Sequence, residues 1–342
     1  EKIELQSVLQ NQLAEKIELQ SVLQNQLAEK IDSQDNTALM LLLSQQYSRN
    51  FLPSDDAAMQ KTLITAWKVD RNKKIGYEEL LDSGFRVFSQ NDEDGSILRI
   101  LTQIGVTNKY VIEIGSNTSS SNIDIPENLS TNLFINHGWH GCIFEMDEVE
   151  CSKMINFYAN NLATKHFHVE MNGQNSYFSP QVIVGAIDIE NINSKVTAAN
   201  VPREPDLMII DIDGGDLDII KSLKCIKPRV LVVEFEKRFK DRFSVVQKNK
   251  DDFSLNWAQS GAASLPAWEA VLAEKGYILC GVNMAGFNAF FVRSDVAVDK
   301  IDKINSTVAF KAHPIFSNMI EDFWLKPDDT WEEVIEISLE LQ

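Results

Sequence analysis

Three short stretches constrain this chain most: VIEIGSN at residues 111–117, CIFEMD at 142–147 and LMIIDIDGGD at 207–216. Each is a short apolar run that carries acids: the first holds one inside and turns at a glycine, and the other two end on them. Runs of apolar or β-branched residues closed in this way read as buried parallel strands. Inside the first run stands Glu113, and an unpaired carboxylate is costly to bury. It is either an edge-strand charge facing water or a carboxylate placed at a ligand, and the repetition favours the second. Three strands that each deliver acids at the carboxyl end describe an open α/β sheet with its ligand site along that edge.

The neighbouring sequence supplies the other strands. After strand 111–115 come a helix near 129–137, strand 142–146, helix 148–161 and a strand near 181–187. Helix 190–198, strand 207–212, helix 216–223 and strand 229–235 follow. Beyond the polar stretch 237–260, helix 265–275 closes at Gly276, and NMAGF joins strands at 277–282 and 288–292. Strands alternating with helices give a parallel sheet, and the last pair forms an antiparallel hairpin. Five parallel strands followed by a hairpin-linked pair suggest a seven-stranded sheet with an antiparallel closing strand.

The amino-terminal segment has a different logic. Residues 1–14 and 15–28 are the same fourteen residues, EKIELQSVLQNQLA, and fourteen residues are two heptads. Leu5, Leu9, Leu13 and Ile17, then Leu19, Leu23, Leu27 and Ile31, make one apolar stripe at helical spacing. Such a stripe wants a partner, so residues 1–36 read as a coiled coil that self-associates between chains. The alternative is a long helix folded back on its own domain, and Gln12 and Gln26 near the seam keep it open. Residues 37–88 read as a helical connector that includes a capped helix at 54–70. Residues 89–105 read as another capped helix, stopped by Gly105, whose early acids Asp92, Glu93 and Asp94 suit a helix amino terminus. The sheet domain then spans 89–295, and 296–342 reads as a helical tail.

Charge narrows the partners. The chain carries 32 basic and 50 acidic residues, a net of −18, which argues against nucleic acid or an anionic membrane as the main partner. Lys237, Arg238, Lys240 and Arg242 form the one dense basic cluster, either a solvated face or a contact for an anionic substrate group. Four widely spaced cysteines, without a CxxC pair, read as reduced thiols of a cytoplasmic protein, with Cys142 and Cys280 as packing residues. The apolar run ALMLLL at 38–43 is too short to cross a bilayer, so no membrane insertion is expected. No secretory signal is visible, although the chain begins at Glu1 and a targeting segment could precede it.

A carboxylate at a strand end can accept both hydroxyls of a ribose, each hydrogen bond to a charged group contributing roughly 1.5–3 kcal/mol. Glu145 closes the second strand, about thirty residues past Gly115, where a ribose-binding acid is expected. That alone fits NAD as well as S-adenosylmethionine. The glycines separate them: NAD sites want G-x-G-x-x-G, whereas Gly115 is followed by Ser-Asn-Thr-Ser-Ser-Ser. S-adenosylmethionine has no pyrophosphate to cradle, so one glycine can suffice.

SQNDEDGSIL (89–98), VIEIGS (111–116), GWHGCIFEMD (138–147), ENIN (190–193), DLMIIDIDGGD (206–216), PRVLVVEF (228–235), GAASLPAWEAVLAEKGYIL (261–279) and NAFFVR (288–293) occur in that order. Together they resemble the FkbM-type S-adenosylmethionine-dependent methyltransferases over roughly 89–293, the IDIDG and NAFFV blocks most specifically. The resemblance implies a class I methyltransferase fold, Rossmann-like, and mostly O-methylation, often of sugar or natural-product hydroxyls. It also implies Glu113, Gly115, Ser116 and Glu145 as cofactor residues, with Asp188 at the end of the third strand. The first loop departs from the glycine-rich pattern common in such enzymes and carries a serine-rich insertion at 118–128.

Methyl transfer to a hydroxyl gains from a base or a metal. Asp211, Asp213 and Asp216 leave the fourth strand around Gly214 and Gly215, and Glu234 ends the next. Clustered carboxylates repel, share a proton or hold a divalent cation. Asp211 is expected at the junction of cofactor and acceptor, with Asp213 and Glu234 as base or magnesium ligands and Asp211 and Asp213 as the metal pair. The competing assignment has Asp216 capping the next helix and Asp213 facing solvent. His137 and His140 flank Trp139 near the expected cofactor, while His166 and His168 share one strand-like face without a third ligand. There is no GxSxG elbow, Walker loop or HExxH. A small-molecule or glycan O-methyltransferase oligomerised by its amino-terminal helix is the leading expectation. A catalytically inactive methyltransferase-like coiled-coil scaffold is the alternative, and a nicotinamide oxidoreductase suffers from the missing glycines.

Overall fold

The structure, a computed structural model, describes residues 55–116, 118, 125–161, 168–171, 174–177, 180–248 and 263–334. The expected coiled coil over 1–36 lies outside the described residues.

Helices α1 (Asp55–Val69), α2 (Tyr77–Asp82) and α3 (Glu93–Ile104) precede the first strand. Then β1 (Tyr110–Ile114), α4 (Thr131–His137), β2 (His140–Glu145) and α5 (Glu148–Asn160) alternate. A small hairpin, β3 (His168–Met171) with β4 (Gln174–Tyr177), precedes β5 (Gln181–Val184) and α6 (Ile192–Ala198). Next are β6 (Leu207–Ile210), α7 (Asp216–Ser222), β7 (Val230–Glu234), β8 (Val245–Gln247) and α8 (Leu265–Glu274). The hairpin β9 (Tyr277–Val282) and β10 (Asn288–Arg293) leads to α9 (Ser294–Ala297), α10 (Ser306–Ala312) and β11 (Trp331–Glu333).

Seven of these strands form one sheet in the order β5-β2-β1-β6-β7-β10-β9. The first five run parallel, and β10 is antiparallel to both of its neighbours. This is the Rossmann-like sheet with an antiparallel closing strand that the alternation predicts. Its central strands are mostly apolar, as a parallel sheet covered on both faces requires: β6 is LMII, while β1 carries Glu113 and β7 ends on Glu234. Ile112, Ile114, Met208, Ile210, Leu231, Val233, Ala289 and Phe291 supply one face of the core. Helix starts carry their expected caps: Asp147 accepts from Val149 and Glu150 N–H, and Ser264 from Ala267 N–H.

Several expectations need correction. The third strand ends at Val184, not 187. The polar stretch after 237 and the supposed helical tail contribute β8 and β11, which pair antiparallel. Each is three residues long, too short to show a period. The borders drawn at 89 and 295 do not divide cores either. Tyr77 and Leu81 from the connector, and Ala309, Phe310 and Phe316 from the tail, enter the same cluster as the sheet. Gly281 makes room for this, because a Cβ there would come within 2.6 Å of the Tyr77 ring. Among the described residues no helix is long and apolar enough to cross a membrane, and all four cysteines are free thiols, with Cys142 and Cys280 buried.

Candidate functional site

The carboxyl ends of β1, β2, β6 and β7 lie along one edge, joined there by the start of the antiparallel β10. Gly115 makes the first turn at φ +78°, and a Cβ on it would lie 1.8 Å from the Asp211 carbonyl oxygen. Glycine is therefore required both by conformation and by the approach of the β6 loop. The turn is stitched on each side, Gly115 N–H donating to Phe144 O and Asp211 N–H to Ile114 O, each at 2.9 Å.

Glu145 closes β2 beside the Gly115 turn. One carboxylate oxygen accepts from Ser116 N–H at 3.0 Å, the other from Asp147 N–H at 2.7 Å, and the residue remains partly open to solvent. Each oxygen keeps a lone pair for a further donor. Ser116 Oγ accepts from the Asn128 side chain at 2.6 Å. At the start of the serine-rich segment, Thr118 N–H donates to Glu150 at 2.9 Å.

Glu113 plays a different part from the one expected. It is 2% exposed, and its oxygens accept from Leu129 N–H, Ser130 N–H and the Ser130 hydroxyl. A direct cofactor contact gives way to holding the start of α4 beside the Gly115 turn. Burial pushes its carboxyl up to about 7 against the pull of those donors. Asp188 has a local task. Four residues past the end of β5 and exposed, it accepts from Glu190 N–H, Asn191 N–H and the Asn191 side chain, so it braces the turn before α6.

The histidines are displaced for a topological reason. His140 opens β2, at the amino edge of a parallel sheet whose site lies along the carboxyl edge, and its ring packs edge-on against Tyr110 at 5.0 Å. His137 bonds Gln60 at 2.7 Å, and burial lowers its pKa to about 4, which keeps the ring neutral. His166 lies outside the described residues, and His168 falls on the β3–β4 hairpin.

The acids after β6 and β7 do converge. Asp211, Asp213 and Glu234 each offer a carboxylate oxygen within 4.8 Å of the other two. Register explains two of them: Ile210 pairs with Val233, so Asp211 and Glu234 come next, side by side. Each carboxyl lies close enough to the other to perturb its titration. Burial, then the charges of Asp216 and Asp213, lifts Asp211 to about 7. Burial and the Asp211 charge raise Glu234 well above the ordinary carboxylate range. Two carboxylates this close disfavour each other's ionisation, so both are pushed toward the protonated form. Asp213 is exposed and sits at φ +57°, a left-handed conformation uncommon outside glycine. Asp216 is buried and accepts from Ile212 and Gly214 N–H, so it braces the loop and stays outside the cluster.

A buried polar brace behind these acids escaped the sequence reading. The Asn283 side chain, fully buried in the β9–β10 turn, donates to Asp92 and Glu93 and accepts from Phe287 and Asn288 N–H. Asp92 also accepts from Met284 and Ala285 N–H. Asp94 accepts from the amides of Val87, Phe88 and Ser89. The acids at the start of α3 thus organise loops, beyond any complement to a helix dipole. Of the basic cluster, Arg238 pairs with Glu236 and Arg242 with Glu321. Lys240 lies over Trp324, and Lys237 lies 3.3 Å from the centre of the Phe287 ring at the rim of the site.

No family model and no curated protein matches the chain. Among solved structures it is similar to the N-terminal domain of EvdMO1 crystallised with SAH bound, at 9% identity and a TM-score of 0.33. That likeness covers 70% of this chain and 95% of the other. At such a score it bears on neither fold nor activity.

Proposed function

We propose that the protein is an S-adenosylmethionine-dependent O-methyltransferase acting on a hydroxyl of a sugar, glycan or natural product. The observation that carries this reading is the Asp211–Glu234 dyad, two carboxylates set side by side at the ends of β6 and β7 on the same sheet edge as Glu145. The FkbM-like order of sequence blocks and the seven-stranded sheet with its antiparallel β10 support it.

Gly115, Ser116 and Glu145 would hold the cofactor, which supplies an electrophilic methyl group when bound. The residues fit such a molecule: a glycine turn without a phosphate cradle, and a strand-end carboxylate with lone pairs to spare for ribose hydroxyls. Glu113 supports them from behind by fixing Leu129 and Ser130. The dyad's part is to take the proton of the acceptor hydroxyl. In its singly protonated form it carries one negative charge and accepts one proton, which then escapes to solvent. A base whose affinity for protons lies near the working pH is the efficient one. Lys237 and Phe287 at the rim offer a cation and a ring face to the acceptor.

A divalent cation such as magnesium is a second reading for Asp211, Asp213 and Glu234, favoured by three oxygens within 4.8 Å of one another. Dialysis against a chelator separates the two: activity that survives leaves the base reading. An inactive scaffold of this fold would keep the cofactor turn and have no use for a dyad.

Calorimetry with S-adenosylmethionine, its demethylated product and NAD, side by side, tests the assignment. The first two bind and NAD does not. Glu145→Ala weakens binding by roughly 1.5–3 kcal/mol, some ten- to hundredfold. Unchanged affinity in a folded variant rejects the cofactor site.

A further inference from the structure

Beside the dyad, two buried polar atoms are left over, and they are of opposite kind. Asn288 opens β10 opposite Glu234 of β7. Residues directly opposite in an antiparallel pair leave the same face of the sheet, with Cβ atoms about 5 Å apart. Glu234 Oε2 and Asn288 Nδ2 are both buried, and neither finds a hydrogen-bond partner among the described residues. One accepts and the other donates, yet they do not bond each other. Groups of this kind are rarely left unpaired in a folded protein.

The fold holds Asn288 in place. Its N–H donates to Asn283 Oδ1 at 2.9 Å and its carbonyl accepts from Asn283 N–H at 3.0 Å. The Asn283 amide is tied in turn to Asp92 and Glu93. The side chain is 4% exposed, next to Phe287, which is 40% exposed at the rim. The row Asp211, Glu234, Asn288 therefore crosses three neighbouring strands at one level, with an unused acceptor on Glu234 and an unused donor on Asn288.

We propose that Asn288 binds the oxygen of the acceptor hydroxyl, its Nδ2 donating to that oxygen while the hydroxyl proton points at Glu234 Oε2. The inference rests on the methyltransferase reading above. A neutral hydroxyl has one proton and two lone pairs. The proton serves Glu234, one lone pair serves Asn288, and the second is free to attack. An ammonium group has no lone pair for Nδ2. A carboxylate has no proton for Glu234 and would meet the negative charge of Asp211 and Asp213. The pair thus selects alcohols against amines and acids. In the reaction the oxygen gains the methyl group of the sulfonium and gives up its hydroxyl proton, which leaves past Glu234 Oε2 to solvent. The donor's sulfonium charge leaves as that proton.

Crystals soaked in methanol test this with the smallest hydroxyl probe. The methanol oxygen is expected within hydrogen-bonding distance of both Glu234 Oε2 and Asn288 Nδ2. In Asn288→Leu, or in Asn288→Ala should leucine disturb the fold, the methanol is lost while S-adenosylmethionine affinity stays within about twofold by calorimetry. A bound water that methanol does not displace, or an Asn288 amide turned directly onto Glu234, overturns the proposal. Failure of the unaltered protein to bind S-adenosylmethionine overturns instead the activity on which it rests.

Discussion

Asp211→Asn separates the catalytic use of the dyad from its cost. Burial and neighbouring acids raise the Asp211 carboxyl from 3.8 to about 7, so the folded protein binds this proton more tightly than the unfolded chain. Its contribution to stability is complete below about pH 4 and is lost as pH rises through 7. Three pH units at 1.36 kcal/mol each set an upper bound of about 4 kcal/mol. Because Glu234 titrates with Asp211, some of that belongs to the pair, and about 2–4 kcal/mol is the range expected of one partner. Asparagine keeps the shape but never ionises. The variant should therefore match the unaltered protein near pH 4.5 and exceed it by about 4–16 °C in melting temperature at pH 8, at roughly 2–4 °C per kcal/mol for a domain of this size. Scanning calorimetry at four values between pH 4.5 and 8 measures this, and methyl transfer from labelled S-adenosylmethionine should be abolished. A melting difference that does not change with pH, or a variant that keeps full activity, refutes the reasoning.

Other consequences are read from single positions. Gly115→Ala places a Cβ 1.8 Å from Asp211 O in a left-handed turn; it should lose at least 1–3 kcal/mol in denaturant unfolding and most of its cofactor affinity. Asp206 is fully buried, paired with Arg229 and accepting from Thr107, Asn108 and Lys109 N–H. Burial raises its pKa, but Arg229 and the amides outweigh that and hold it below 3.8, so its stabilisation is present above about pH 4 and fades as pH falls further. Asp206→Ala strands a buried guanidinium and should cost about 3–5 kcal/mol at pH 7, measured by urea unfolding. The Leu/Ile ladder of residues 1–36 predicts that deleting them lowers the mass seen by light scattering and leaves cofactor binding intact; a full-length protein that is already a monomer rejects the coiled coil.

The sheet was legible because burial writes itself locally. A parallel strand covered on both faces is apolar at nearly every position, so VIEI, CIF and LMII announce themselves, and the acids that follow CIF and LMII mark the carboxyl edge of the sheet. Gly115 was legible for a similar reason: only glycine permits both the φ of the turn and the approach of Asp211. What each acid does was not written locally. Glu113 and Glu145 look alike in sequence, yet one is spent on Leu129 and Ser130 while the other keeps lone pairs toward the open edge. Asp211 and Glu234 are 23 residues apart in sequence and become neighbours only through the β6–β7 register, and that proximity is what makes each disfavour the other's ionisation. His140 lost its expected role because strand direction put it at the opposite edge. Asn288 stood inside a recognised block without any mark of function; its significance comes from a missing bond, which exists only once β10 lies against β7. Local sequence determines which residues are buried in strands, since the hydrophobic effect acts on composition and period. Tertiary structure decides which polar groups meet, since charges and hydrogen bonds act over a few ångströms between segments that the chain itself keeps far apart.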